Sequence, residues 1–527
     1  MIRTIIAGAR IYDGTAPHPV ETDLGIVGDR IALMGDLSER DAAERVDGRG
    51  RVLAPGFIDV HAHTDELWLR DGRCEGKIRQ GVTTEIGGNC GTSVAPLAGE
   101  ALRRRADDLR AAGMEPAWHD LDGFFALVER GGTALNVATL VGLGTTRRCV
   151  RGDAAGPLDA SESEAQLRLV RETVEQGALG VSSGLIYVPS RYADRRELTA
   201  CAAAAREAGQ PRYVSHLRSE SDDLLAAVEE ALAIGREAEV AVQLSHHKAA
   251  GKKNWGAVHR SLDAVARARA GGVAASADAY PYIAMWTDLD TILPEDALEG
   301  GREATLARLR DPETAAALAL RLTLDRDDDE WHDIQISTVA GERNASLAGM
   351  RLDAIARTWR LSPARAALRL LAEERLAVQA IFFAMNEDDV ATVLSADFVS
   401  IGSDASARAI DGPTAEGVPH PRTFGCFPRV FGRYVRGRRT LDLGEAIRRM
   451  TSLAADQFGL AERGRIRVGH YADLVLFDPD AIVDTATYER PFSYPRGIEG
   501  VWVNGTAVVR GGETTGARPG RVLRGGR

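Results

Sequence analysis

The chain has 527 residues, 44% of them hydrophobic and 27% charged, enough to bury a large core and to form a barrel-sized domain with additions. A formal net charge of −11 argues against a nucleic-acid or anionic-membrane surface, and no uncharged apolar run reaches the roughly 18 residues that a membrane span needs. The five cysteines are odd in number and scattered, which speaks against a disulfide framework and fits a reducing, cytoplasmic setting.

The N-terminal run from Met1 to Gly8 is too short for a signal peptide and reads as a strand. Further strand-like pieces follow at residues 23–27, 31–34 and 51–53, punctuated by Gly and Asp. From residue 55 the pattern changes. Short apolar runs at 57–60, 83–86, 135–141, 179–182, 212–215, 240–245, 273–277 and 398–401 alternate with alanine-rich amphipathic stretches such as 222–238 and 255–270. Eight strands alternating with helices predict an α/β fold, a (β/α)8 TIM-like barrel over 55–463. The long interval before the last strand predicts an insertion around 289–344, rich in charge and helix formers. Strands return at 473–477 and 500–505, the second closing in an Asn-Gly hairpin turn. Residues 1–54 and 464–527 are therefore expected to build one small β-sandwich domain, with a loosely ordered tail from Gly516. The cluster Arg103–Arg105 reads as a solvated helix face.

In such a barrel, functional residues gather at the C-terminal ends of the strands. The first run leads into His61-Ala62-His63, an i, i+2 pair that a strand would aim at one point. The second ends in Gly88-Asn89-Cys90-Gly91, the fifth in Ser215-His216, the sixth in Ser245-His246-His247-Lys248, and the eighth in Gly402-Ser403-Asp404. A lone buried cysteine or strand-end histidine is often structural. Four histidines, a cysteine and an aspartate at one barrel mouth would need several coincidences, and together they supply ligands for one closed or two open zinc sites.

These motifs, with Ser-His-Leu-Arg-Ser-Glu at 215–220, residues 180–187, His420-Pro421-Arg422 and the ending 463–474, resemble the N-acyl-D-amino-acid deacylases (D-aminoacylases) of the amidohydrolase superfamily. The resemblance covers almost the whole chain, and the cysteine in the Gly-Asn-Cys-Gly loop is its specific mark. It implies hydrolysis of an N-acyl-D-amino acid to a D-amino acid and a carboxylate by metal-activated water. It further implies a tight zinc held by Cys90, His216 and His246. A second, weaker metal site would use His61 and His63 and share Cys90. Asp404 would be the catalytic base and acid. Lys248, Tyr280 and Arg422 match residues that grip the substrate's α-carboxylate, the partner expected of this chain, and Arg can do so bidentately.

Two positions depart from the family. Leu143 stands where a histidine is common, and its side chain cannot donate a hydrogen bond. Trp286 stands where a small residue is common, so an indole is expected to fill or reshape the side-chain pocket. These departures keep a second reading open, hydrolysis of another C–N bond such as a cyclic amide or a D-dipeptide. A non-catalytic metal-binding barrel is the remote third reading. Homo-oligomerisation stays open.

Overall fold

The computed structural model describes residues 1–526. Eight parallel strands form the central barrel, labelled here β1 (Phe57–Asp59), β2 (Val82–Gly87), β3 (Asn136–Thr139, continued at Val141–Gly142), β4 (Val181–Gly184), β5 (Arg212–His216), β6 (Ala241–Leu244), β7 (Ala275–Ala279) and β8 (Val399–Ile401). Their hydrogen-bonded order is sequential, from β1 to β3 and from β3 to β8. Closure comes just above β1 and β8: Asp404 N–H donates to His61 O at 2.8 Å, and His63 N–H donates to Ala405 O at 3.2 Å. Ile58, Val60, Ile86, Ala138 and Val214 pack with Phe458 into a dry plug in the barrel.

Strand β3 breaks its register at Leu140, where the second half turns to pair with β4. Its first half would be left with a bare edge. The C-terminal tail covers it: Val137 N–H donates to Arg521 O and Leu523 N–H to Val137 O. The tail from Gly516, expected to be loosely ordered, is thus pinned there because buried backbone polar groups must be paired.

Strands from both ends of the chain share one nine-stranded sheet. Its centre sets Val52–Pro55 beside Ile2–Ile11 on one side and Leu474–Phe477 on the other. Ile6, Ile26, Leu53, Leu474 and Trp502 form its core.

Between β7 and β8 lies a separate layer with its own core around Leu289, Trp331, Ile336 and Leu370. Its antiparallel strands Met285–Asp288 and Ile334–Val339 both pair with Val378–Phe382. The layer therefore extends beyond the expected 289–344 at both ends. Charge density marks its helices but not the apolar strands that close it. Among the described residues, no helix is long and apolar enough to cross a membrane.

Candidate metal centre and active site

The barrel mouth brings together six of the side chains singled out by sequence. Donor atoms of His61, His63, Cys90 and Asp404 lie within 4.8 Å of one another, as do those of Cys90, His216 and His246. Cys90 belongs to both groups. Its Sγ is 3.3 Å from His61 Nε2 and 3.4 Å from His246 Nε2. Burial opposes a charge on this thiol, yet the neighbouring imidazoles of His61 and His246 hold its pKa well below the ordinary thiol range.

Three of these residues sit in the left-handed backbone region: Cys90 at φ 52°, His246 at 35° and Asp404 at 51°. Side-chain-bearing residues adopt it at a cost, so the surrounding contacts must hold them there. For Cys90 the contact is close. A Cβ on Gly184 would lie 2.0 Å from Cys90 O, so only glycine lets the loop after β2 seat on β4. His61 and His63 lie just beyond the end of β1, on a segment still paired with Ile86 on one side and Ala405 on the other, and that pairing aims them together.

Two carboxylates, Asp278 and Glu220, orient the donor side chains. His61 Nδ1 lies 3.1 Å from Asp278 Oδ1, and the same oxygen accepts from His246 N–H at 2.9 Å. Glu220 Oε1 is 2.9 Å from His246 Nδ1 and 2.6 Å from Lys248 Nζ. Burial opposes the Glu220 charge, but Lys248 and His246 keep its pKa below the usual carboxylate range. Neither acid stands out in the sequence, although Glu220 lies in the same motif as His216, four residues further on in the loop after β5.

Asp404 is placed between the donor set and a cation. Its Oδ1 is 3.0 Å from His63 Nε2, and its Oδ2 is 2.9 Å from Arg422 Nη2. Burial disfavours the ionised form, but Arg422 and then His246 hold the carboxyl well below its ordinary range. Arg422 is itself aimed by His420, whose Nδ1 accepts the Arg422 N–H at 3.0 Å and whose Nε2 donates to Ala284 O at 3.0 Å. Tyr280 lies under both cations, its ring centroid 4.5 Å from Arg422 Cζ and 5.8 Å from Lys248 Nζ. Trp286 lines the same cavity of about 1250 Å³. Leu143 does not: it is buried in the main core at the start of a helix. His247 also turns away, onto Ser261 Oγ at 2.8 Å.

The donor chemistry fits a metal ion. One thiolate and up to four imidazoles converge, and both ring nitrogens of His216 are buried without a hydrogen-bond partner. Buried polar atoms seldom stay unpaired, and a ligating nitrogen is satisfied by the ion.

Comparison with known proteins agrees. Residues 44–509 match the model of the amidohydrolase family. An N-acyl-D-glutamate deacylase of Alcaligenes xylosoxydans xylosoxydans is 37% identical over 99% of this chain and 96% of its own length. A D-aminoacylase of the same organism is 37% identical over 98% and 97%. The crystal structure of N-acyl-D-glutamate deacylase from Bordetella bronchiseptica, complexed with zinc and a phosphonate inhibitor, superposes with a TM-score of 0.85 at 36% identity over 99% of both chains.

Proposed function

We propose a specific reaction for this chain, which belongs to the amidohydrolase family and to its D-aminoacylase branch: hydrolysis of the amide bond of N-acyl-D-amino acids. The observation that carries it is the Cys90-sharing donor set with the Asp404–Arg422 pair directly against it. Cys90, His216 and His246 would hold a tight zinc, and His61 and His63 a weaker second ion. The metal would supply a Lewis acid that polarises the acyl carbonyl and acidifies water. Asp404 then accepts the proton of the attacking water as the C–O bond forms, and returns it to the nitrogen as the C–N bond breaks. Arg422, Lys248 and Tyr280 bind the α-carboxylate and so fix which face of the chiral carbon meets the pocket. The five free thiols support a cytoplasmic setting.

The test is a panel of N-acetyl-D- and N-acetyl-L-amino acids assayed with the zinc-loaded protein. At least one D substrate should be preferred over its L antipode by roughly 100-fold in kcat/KM, the cost of misplacing the reacting bond. Absence of turnover with every D substrate rejects the reading.

Glu220 yields a separate expectation. An acceptor at Nδ1 of a ligating histidine fixes the tautomer and raises the basicity of the other nitrogen. Glu220→Gln should weaken zinc affinity about 10- to 100-fold, read from the chelator concentration that strips the ion. Equal chelator resistance in the two proteins would show that Glu220 serves Lys248 alone.

A further inference from the structure

The cations assigned above to the α-carboxylate are each already balanced inside the protein, Arg422 by Asp404 and Lys248 by Glu220. A third cation at the same wall is not. Arg408 follows Asp404 by four residues and lines the same cavity. Its side-chain hydrogen bond runs from Nη1 to the backbone carbonyl of Glu416 at 2.8 Å, while the Glu416 carboxylate is taken by Arg70. Among the described residues, no carboxylate forms an ion pair with Arg408, and its Nε is buried without a partner. Its Cζ lies 5.5 Å from the centroid of the Trp286 ring, and Arg422 Cζ lies 5.9 Å from that same centroid.

A largely desolvated guanidinium without a counter-anion is costly, and a bound anion relieves that cost. Both guanidiniums lie within about 6 Å of one indole, the range in which a ring face attracts a cation. Trp286 is thus shared by the two cations, and a ligand that carries two negative groups can satisfy both.

We propose that Arg408, seated on Trp286, forms a second anion subsite, so that the preferred substrates carry a carboxylate beyond the α-carboxylate. The inference rests on the deacylase reading for the first carboxylate. The second has two sources, an acidic D-amino-acid side chain or the far end of a dicarboxylic acyl group. The full-length curated relatives include an N-acyl-D-glutamate deacylase, an N-acyl-D-aspartate deacylase and a D-aminoacylase at 36–37% identity, so their names leave both sources of the second carboxylate to be tested.

Two substrate pairs separate the sources: N-acetyl-D-glutamate against N-acetyl-D-glutamine, and N-succinyl-D-leucine against N-acetyl-D-leucine. In the native protein one pair should show at least a roughly 10-fold preference in kcat/KM for the dicarboxylate, and Arg408→Gln should lower that ratio by about 30-fold. Arg408→Lys, which keeps the charge, should keep most of it. The pair that responds names the source. No preference in either pair, or equal losses on both members, overturns the subsite. Should no N-acyl-D-amino acid be turned over at all, the deacylase reading fails, but the subsite is still tested by calorimetry of glutarate against butyrate. Glutarate should bind the zinc-loaded protein about 10-fold more tightly, and Arg408→Gln should erase that difference. Equal binding of the two acids by the native protein overturns the subsite on its own.

Discussion

Asp404→Asn is expected to lower kcat by about 10³- to 10⁴-fold while leaving the metal in place, at the upper end of what a positioned acid-base group contributes. The amide is nearly isosteric, so the fold and the histidine and cysteine donors are kept. What it loses is the ability to take a proton from water and return it to the leaving nitrogen. The partition between kinetic constants identifies the cause. Asp404 Oδ2 engages Arg422 Nη2 at 2.9 Å in the free protein, and the neutral amide gives up that ion pair. Arg422 is then freer to bind the substrate carboxylate, so KM should stay level or fall while kcat collapses. A variant that loses kcat together with its zinc would instead make Asp404 a structural ligand. A variant with unchanged kcat would remove it from the chemistry.

Much of this site was legible in the chain because strand periodicity and residue type coincide. Each donor residue stands at or just past the end of an apolar run, and a parallel barrel brings those ends to one rim. The convergence of His61 and His63 came out as expected: Ala62 between them bridges to Ala405 on one side and donates to Ile86 O on the other, so the pair sits on a strand-paired segment. What stayed hidden depends on register between distant segments. Lys77 meets Ser403 across 326 residues, and Asp278 meets His61 across 217. No local pattern announces such pairs, and a buried lysine reads in sequence like any solvated one. Trp286 shows the opposite limit. Its bulk was visible, but its role depends on Arg408, whose loop approaches only in the folded chain. The tail misread has the same origin, since an Arg- and Gly-rich segment gives no hint of the open edge on β3 that it covers.

Lys77→Met should destabilise the protein by about 3–5 kcal/mol, because it breaks a buried ionic network by removing one partner. Lys77 is fully buried, and its Nζ donates to Asp59 Oδ2 at 2.5 Å, Ser403 Oγ at 2.7 Å and Ala405 O at 2.8 Å, with Glu85 Oε2 at 3.5 Å. Burial raises the pKa of the Glu85 carboxyl above its ordinary range, and the Lys77 ammonium works against that rise. Without the ammonium both acids are stranded. Burial works against the charge on Lys77, but Asp59 and Glu85 outweigh it and raise its pKa above the ordinary lysine value. The contribution is therefore complete at neutral pH and is lost only as pH rises through that elevated value. The network also reaches the site. Asp59 accepts from the N–H groups of His61 at 3.2 Å and Ser403 at 2.9 Å, so Lys77 braces the two segments that carry His61 and Asp404. The measurement is the urea midpoint of the variant with zinc held constant, since bound metal stabilises the folded state on its own account. Adding Glu85→Gln to Lys77→Met should recover part of the loss by removing one stranded charge, although the Glu85–Trp68 hydrogen bond limits the gain. An unchanged midpoint in the single variant would mean that the brace does not depend on the Lys77 charge.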